Sequence, residues 1–371
     1  MLEVICHEKY NRMTKVQGGF MNSHERVREA LLCRKPDRIP KALGFFDQDL
    51  AAIAPTAPED YFDLDIRYAE FDPPANQDTF RRYLDTLPID IHVGNPAQLR
   101  TYHEWQYHPQ RGTARPLSDA RTLKDLVKYV WPDLSNPTRH AGLTKKVQGF
   151  HDQGFAVAGA PPHLGGELFE AAWRLRGYVN FMLDLASRHD IADYLLDQLT
   201  VMLIENALIL ARAGVDILLL DDDVAMPTGL MIGPATWRRH FKERLARVID
   251  IAREESPDLL IFYHCDGDFT RLVPDLVEIG VNVINPLQPD CMDAAAIKRE
   301  FGDRLALWGT VGSALLWDRG TPDQVRSEVK RCIETLGPQG LLLAPAYDID
   351  FTPFENIVAF NEAVEEYGQI I

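Results

Sequence analysis

From about residue 155 onward, short and continuous apolar runs alternate with longer amphipathic stretches. The runs lie at residues 155–160, 215–221, 259–264, 281–285, 304–309 and 340–344. The stretches between them have helical periodicity, and a glycine ends several of them, as at Gly214 and Gly280. Strands that are buried on both faces carry continuous apolar runs, whereas half-exposed strands alternate. The pattern therefore predicts parallel strands joined by crossover helices.

Two earlier apolar runs, at residues 39–46 and 89–94, raise the number of predicted strands to eight. Eight parallel strands are typical of an α/β fold of the (β/α)8 TIM barrel type. An open doubly wound sheet is the alternative, but no Gly-x-Gly-x-x-Gly pattern follows any of the runs. We therefore expect a closed barrel.

The remaining segments predict how the chain is organised around this barrel. Residues 22–34 form an amphipathic helix with a capping residue at its start, and residues 95–148 show no clear period. We expect the second segment to be a long insertion over the barrel mouth. Residues 1–20 are interpreted as a loosely attached extension, and residues 21–371 as a single barrel domain.

Composition limits the partners and the compartment. The chain has 371 residues and a formal net charge of −16, which would repel nucleic acid. Its five cysteines are odd in number and irregularly spaced, so we expect no disulfide framework and a cytoplasmic location. Residues 1–20 lack the apolar core of a signal peptide, and no continuous apolar run spans a membrane. The expected partner is a small-molecule substrate, and a homodimer is an open alternative.

In TIM barrels the chemistry collects just after the strands, so we examined the polar residues at those points. Three adjacent carboxylates, Asp221 to Asp223, repel one another and predict a raised pKa for at least one of them. Asp222 is the candidate acid or base and Asp223 a candidate substrate contact, although one of the three could simply cap the following turn. The other strand ends supply further candidates: His163, Glu170, Asn285 and Gln288 for substrate binding, and Tyr347 for catalysis.

The sequence His264-Cys265-Asp266-Gly267 follows the fifth predicted strand. In extended backbone His264 and Asp266 point the same way and Cys265 the other way. A histidine and a carboxylate in this arrangement suit a zinc ion, with Cys291 as a third ligand, and Asp266 is also a candidate for catalysis. The alternative is that His264 and Asp266 form hydrogen bonds only, while the cysteines are small buried hydrophobes.

Several stretches, in this order along the chain, are similar to the uroporphyrinogen decarboxylase superfamily. They include RVREALLCRKPDRIP at 26–40, LFEAAWRLRG at 168–177, HCDGDF at 264–269, NPLQPDCMD at 285–293, WGTVGS at 308–313, LLLAPAYDI at 341–349 and PFENI at 353–357. The resemblance implies a TIM barrel. It also implies one of two activities: decarboxylation of uroporphyrinogen without a cofactor, or methyl transfer that involves a corrinoid and zinc.

The departures from these motifs bear on the activity. The arginine-rich motif of the true decarboxylases is absent, because Arg38-Ile39-Pro40 is followed by KALGFFDQD, and Tyr347 stands where those enzymes carry a histidine. The resemblance is therefore closer to the corrinoid-dependent methyltransferase-like members. Those carry His-x-Cys-Gly and a later cysteine, whereas this chain has Asp266 at the first position and Ala346 near the second.

Three hypotheses follow. The first is a methyltransferase that moves a methyl group between a small methylated compound and a corrinoid, supplied by a separate protein, with zinc assistance. The second is a cofactor-independent decarboxylase or other lyase acting on a carboxylated substrate. The third is a barrel that binds a ligand without catalysis.

Overall fold

A computed structural model describes residues 21–43, 56–72, 115–164, 166–349 and 352–370. Seven parallel strands follow one another in chain order within one sheet. They are β1 (Ile66–Ala69), β2 (Ala156–Gly159), β3 (Ile217–Asp221), β4 (Leu260–His264), β5 (Val283–Asn285), β6 (Ala306–Trp308) and β7 (Leu341–Leu342). Six of them lie within the six apolar runs of the second half of the chain, so that part of the prediction is confirmed.

Residues 40–43 occupy the eighth position and close the sheet. Leu343 N donates to Pro40 O at 3.0 Å and Ala42 N donates to Leu343 O at 2.9 Å, which joins this segment to the end of β7. On its other side, Asp65 N donates to Lys41 O at 3.1 Å, directly before β1. The fold is therefore the (β/α)8 TIM barrel that the apolar runs predict.

The second barrel strand is not the one that we expected. The run at residues 89–94 lies outside the described residues, and the position between residues 40–43 and β2 is filled by β1, with the sequence IRYA. Arg67 and Tyr68 interrupt the apolar character of this four-residue strand, so it gives no continuous run. Its short length further weakens the signal.

The helices surround the strands on the outside. Their bounds are α1 (Ser23–Leu31), α2 (Pro58–Tyr61), α3 (Leu123–Leu126), α4 (Leu143–Asp152), α5 (Phe169–Arg176), α6 (Tyr178–Ser187), α7 (His189–Ala213), α8 (Pro234–Trp237), α9 (Glu243–Glu255), α10 (Val273–Glu278), α11 (Ala294–Phe301), α12 (Ala314–Arg319), α13 (Pro322–Leu336) and α14 (Phe354–Tyr367). A π-helical turn, Arg238–Lys242, joins α8 to α9, and 3-10 turns lie at Pro137–Arg139 and Thr270–Leu272.

The predicted insertion at residues 95–148 is shorter than expected at its C-terminal end. Its last residues belong to α4, which packs on β1, β2 and α7 and buries Leu143 and Val147. That part is therefore an outer barrel helix rather than a cover for the mouth. Residues 95–114 and the predicted extension at residues 1–20 lie outside the described residues.

Helix α7 is long and apolar enough to cross a membrane by length and composition alone, with a mean hydropathy of 1.4 over its best window. Half of that window is buried inside the protein. Its buried side chains, which include Leu195, Leu199 and Leu203, lie on the face that packs on α9, α4 and β3. These contacts are those of an ordinary barrel helix.

The barrel interior is filled by alternate residues of the strands. Ile217, Leu260, Val283, Ala306 and Leu342 belong to one inner cluster, distinct from the larger layer between strands and helices. Val27 and Leu31 of α1 join the inner cluster and close the amino-terminal end of the barrel. One layer higher, Phe262 and Trp308 pack edge to face at 5.0 Å. The next inward positions on β3, β4 and β5 are polar, and they begin the mouth.

A buried carboxylate holds the closure of the barrel together. Asp65, whose side chain is fully buried, accepts hydrogen bonds from Arg26 Nη1 and Arg38 Nη1, each at 2.8 Å, and from Ser23 Oγ at 2.8 Å. Its carboxylate also accepts from Lys41 N at 3.0 Å. This one side chain therefore joins α1, residues 38–41 and the start of β1.

We expect Asp65→Asn to lower the free energy of unfolding by about 3 kcal/mol, because it removes the buried counter-charge that Arg26 and Arg38 share, and Arg26 keeps only its second partner, Asp37. The matched control is Asp258→Asn, since Asp258 also pairs with an arginine, Arg28, at 3.0 Å, but is 86% exposed. The control should change stability by less than about 1 kcal/mol. Urea unfolding followed by circular dichroism measures both, and equal losses would contradict the role of Asp65.

Candidate active site

Three polar residues form a row across three neighbouring strands at the carboxyl end of the barrel. Asp221 at the end of β3 is the register partner of His264 at the end of β4, and His264 is the partner of Asn285 at the end of β5. Each lies two residues beyond an inward-facing apolar position, so its side chain also faces inward. Parallel pairing therefore brings together residues that lie 43 and 21 positions apart in the sequence.

Asn285 fixes the orientation of the His264 ring. Its Nδ2 donates to the Trp308 carbonyl oxygen at 3.1 Å, so its Oδ1 is the atom that faces His264 Nδ1 at 2.7 Å. Because an amide oxygen only accepts, Nδ1 carries the hydrogen in this pair. The other ring nitrogen, Nε2, is consequently directed at the mouth.

Three carboxylates surround His264 Nε2. The distances are 4.0 Å to Asp221 Oδ1 and 3.9 Å each to Asp223 Oδ1 and Asp266 Oδ1. Burial opposes a charge on the imidazole, but the carboxylates of Asp221, Asp266 and Asp223 outweigh it and raise the pKa of His264 to about 10. The predicted pair His264 and Asp266 is therefore brought together, with two further carboxylates beside it.

The three adjacent aspartates divide between two faces. Asp221 and Asp223 face the mouth, whereas Asp222 turns toward the amino-terminal end of α5. There its carboxylate accepts from Phe169 N at 2.9 Å and from Glu170 N at 3.0 Å. Burial raises the pKa of Asp222 to about 7. Since its oxygens are used by backbone amides, we assign Asp222 to helix capping rather than to the acid or base role expected from the sequence.

Gln288 positions Asp266 beside the row. Its Nε2 donates to Asp266 Oδ1 at 2.8 Å, and its Oε1 accepts from Gly267 N at 2.9 Å. Asp266 N in turn donates to Asp223 Oδ1 at 2.6 Å, which joins the loops after β3 and β4. Gln288 is 6% exposed, and both polar atoms of its amide are engaged in these two hydrogen bonds.

His163 and Glu170, both predicted substrate contacts, also lie at this mouth. His163 Nε2 is 3.9 Å from Asp221 Oδ2, and its Nδ1 accepts from Gly166 N at 2.6 Å. Glu170 Oε1 accepts from Arg174 at 2.9 Å, and its other carboxyl oxygen lies 3.4 Å from Asp223 N. Burial raises the pKa of Glu170 to about 8. The loop after β2 thus adds an imidazole, and the first turn of α5 adds a protonatable acid.

Cys291 and Tyr347 lie outside the group around His264 Nε2. Tyr347 Oη donates to Asp290 Oδ2 at 3.1 Å, and Cys291 Sγ lies 3.6 Å from Gln288 Oε1. Cys291 belongs to neither of the groups of potential metal ligands in the described residues. Cys265 is fully buried among apolar side chains, as expected from its position between His264 and Asp266.

Two residues at the mouth were not selected from the sequence. Asp221 was not chosen, and its neighbours were chosen instead. Its position two residues before Asp223, which directs both side chains inward, could have identified it. Glu167 lies on a loop, where periodicity gives no direction. Both of its carboxyl oxygens are buried without a hydrogen-bond partner in the described part of the chain. Burial, with the nearby charges of Asp221 and Asp222, raises the pKa of Glu167 well above its usual range.

The geometry fits a metal ion. The ligand atoms of Asp221, Asp223 and His264 all lie within 4.8 Å of one another. Zinc ligands lie roughly 2.0–2.2 Å from the ion, so atoms 3.9–4.0 Å apart can share one ion between them. Asn285 provides the usual support, because ligating histidines commonly form a hydrogen bond through the other ring nitrogen. The ligand set differs from the predicted one by having Asp221 and Asp223 in place of Asp266 and Cys291.

The family model for uroporphyrinogen decarboxylase matches residues 154–367, which is more than half of the chain. The chain therefore belongs to the uroporphyrinogen decarboxylase family. The matched region includes β2 to β7 and every residue of the mouth described above.

Two curated relatives and one solved structure that are similar to this chain are named as methyltransferases. The methylcobamide:CoM methyltransferase MtaA of Methanosarcina barkeri is 28% identical over 190 residues, and that of strain Fusaro is 26% identical over the same length. The matches cover 51% of this chain and 52% of each relative, so the chain spans about half the length of the curated relatives it matches. A methyltransferase structure from Methanosarcina mazei superposes with a TM-score of 0.68 at 19% identity, over 94% of this chain and 99% of that one, and shows the same fold.

The division of the aspartates is testable by stability. We expect Asp222→Ala to lower the free energy of unfolding by about 1–3 kcal/mol, because two buried amides at the start of α5 lose their acceptor. Asp221→Ala is the matched control. It should change the stability of metal-free protein by less than about 1 kcal/mol, since it removes one of several like charges. Thermal unfolding in the presence of a chelator compares the two, and the reverse order would refute the assignment.

Proposed function

We propose that the protein is a methyltransferase that moves a methyl group between a small methylated compound and a corrinoid, with the help of a metal ion held at the mouth. The observation that carries the proposal is the inward-facing imidazole of His264, with three carboxylates at 3.9–4.0 Å from its Nε2. The similarity to methylcobamide:CoM methyltransferases supports the chemical class.

The charge of the mouth supports this choice over uroporphyrinogen as substrate. Glu167, Glu170, Asp221, Asp223 and Asp266 converge on it, and Arg174 is already paired with Glu170. Among the described residues of the mouth these acids outnumber the two cations, His264 and Arg174, so a polycarboxylate would meet a negative field at a cost that low dielectric increases. A neutral or cationic methylated compound would be free of that penalty.

We assign Asp221, Asp223 and His264 as the residues that would hold the metal ion, with Asp266 beside them. A zinc ion bound there would supply Lewis acidity to the heteroatom that gives or takes the methyl group. The protein's own residues then have separate tasks. Asn285 keeps Nε2 directed at the mouth, and Gln288 keeps Asp266 in place. Asp266, which is 54% exposed, can take up the proton that a thiol acceptor must lose.

The corrinoid is proposed to come from a separate protein that docks at the carboxyl end of the barrel. In transfer from the corrinoid to a thiol, the cobalt–carbon bond breaks, a carbon–sulfur bond forms, and the thiol proton leaves. The floor of Phe262 and Trp308 closes the mouth from below, so donor and acceptor must both enter from that end. We further propose a cytoplasmic location, where such a thiol acceptor stays reduced.

The test is methyl transfer from free methylcobalamin to coenzyme M or another small thiol, followed by the loss of the methylcobalamin absorbance. Cob(I)alamin with methylated amines, alcohols and thioethers tests the opposite direction. We expect turnover by zinc-loaded protein, and we expect His264→Ala to bind one zinc equivalent fewer than wild type and to lose the turnover. A zinc content in His264→Ala equal to that of wild type, or a wild-type protein that is inactive in every combination, would overturn the proposal.

Two further variants separate the ligands from their surroundings. Asn285→Ala should lower zinc affinity about 10–100-fold, because it frees the His264 ring to turn. Cys291→Ser should leave both zinc content and affinity unchanged, because Cys291 lies outside the group around Nε2. Loss of zinc in Cys291→Ser would instead support the ligand set expected from the sequence.

A second candidate function, decarboxylation, is favoured by one specific observation. Glu167 is a buried acid whose carboxyl oxygens have no partner in the described residues, and such a group can donate a proton to a carbanion. Release of CO2 from a panel of carboxylic acids, abolished in Glu167→Gln and unaffected by a chelator, would favour this function. No release from any of them would exclude it for those acids.

A further inference from the structure

A second group of histidine and carboxylate side chains lies at the opposite end of the barrel. His24 on α1, His151 on α4 and Asp216, directly before β3, place their ligand atoms within 4.8 Å of one another. Asp216 and Asp221 lie at the two ends of β3, and five residues of strand separate them by roughly 16 Å. The group is therefore independent of the mouth and of the function proposed for it.

Both imidazoles present the same nitrogen to one carboxylate. His24 Nε2 is 3.0 Å from Asp216 Oδ1, and His151 Nε2 is 2.9 Å from Asp216 Oδ2. The two rings are close neighbours, with centroids 5.4 Å apart at a tilt of 58°. Three separate elements thus bring two nitrogens and a carboxylate to one point.

We propose that His24, His151 and Asp216 form a structural site for zinc or a similar divalent transition-metal ion. The edge of a tetrahedral zinc site is roughly 3.3 Å, and the nitrogen–oxygen distances here lie within a few tenths of an ångström of it. Two imidazoles and one carboxylate leave the fourth position to water. In the neutral form of each imidazole the hydrogen can move from Nε2 to Nδ1, which frees Nε2 for the ion.

The surroundings favour a ligand role. Val157 N donates to Asp216 Oδ2 at 2.7 Å, which orients the carboxylate in the manner of the polar groups that support metal ligands. The His24, His151 and Asp216 side chains are 36%, 27% and 16% exposed, so an ion can enter from solvent. The hydrogen bond to Asp216 raises the pKa of His24, and Glu25 adds to this effect, whereas burial and the charge of Arg28 lower it.

A metal ion at this point would fasten α1 to the barrel. The same helix inserts Val27 and Leu31 into the inner cluster, and its first turn is held by His24 N, which donates to Gly154 O at 2.8 Å. The ion would add a link from α1 to α4 and to the start of β3. It would therefore stabilise the closed amino-terminal end of the barrel without touching the mouth.

The test is a titration of chelator-stripped protein with Co²⁺ and with Zn²⁺, read by cobalt absorbance and by thermal unfolding. The key variant is His24→Gln/His151→Gln, because glutamine still donates to Asp216 but does not bind the metal. We expect this variant to lose one metal equivalent and the metal-dependent rise in Tm, on the order of 5 °C at a hundredfold excess over Kd. His264→Ala should keep that equivalent.

The outcomes separate the two sites. If the mouth binds no metal, wild type should still bind one equivalent, and the glutamine variant none. If both sites bind, the glutamine variant keeps the cobalt spectrum of the mouth, which also shows that it is folded. Equal metal stoichiometry and equal Tm shifts in wild type and the glutamine variant would overturn the site, and would leave two hydrogen bonds to Asp216 as the whole role of the histidines.

Discussion

The parallel register of three strands is the constraint on which the mouth depends. Asp221, His264 and Asn285 are partners across β3, β4 and β5, and all three face inward because the register and the alternation of side chains agree. A slip of one residue would turn every side chain of a strand to the other face. The apolar layer below, with Leu219, Phe262 and Val283 facing inward, makes such a slip costly.

This dry floor also sets the electrostatics above it. Phe262 and Trp308 exclude water from beneath the polar row, so charges in the row interact more strongly than they would in solvent. The His264 imidazole interacts favourably with the carboxylates of Asp221, Asp223 and Asp266. Burial raises the pKa of Glu170, so this acid is protonated more readily. The polar residues around the row do different work: Asn285 and Gln288 orient, whereas Asp222 caps a helix.

The sequence predicted the parts of the molecule that follow from burial on both faces. Continuous apolar runs predicted the strands from β2 to β7, because strands that are buried on both faces carry such runs. The runs did not predict β1, because Arg67 and Tyr68 interrupt the apolar pattern of its four residues. The position of β1 in the sheet follows from its pairing with β2. Its position is secured by Asp65, whose arginine partners are 27 and 39 residues away.

The site was predictable in its location and less so in its members. Most of the residues chosen after strand ends lie near one another at the mouth, since parallel strands bring these points together. The choice among Asp221, Asp222 and Asp223 required the direction of each side chain, which changes where the strand ends. Cys291 was chosen for its chemical type, but its position on the loop after β5 brings it to Gln288 instead. Glu167 carried no signal, because an irregular loop has no period.

The packing of α1 against the amino-terminal end of the barrel has a consequence for how the chain reaches its native state. Val27 and Leu31 of α1 pack in the same cluster as Leu342 of β7, which is synthesised more than 300 residues after them. Until β7 is synthesised, these side chains have only part of their final contacts. Asp65 can form its ion pairs with Arg26 and Arg38 before the barrel is complete. Nascent chains should thus remain dependent on late translation, and truncation before β7 would leave an amphipathic helix exposed to chaperones and proteases.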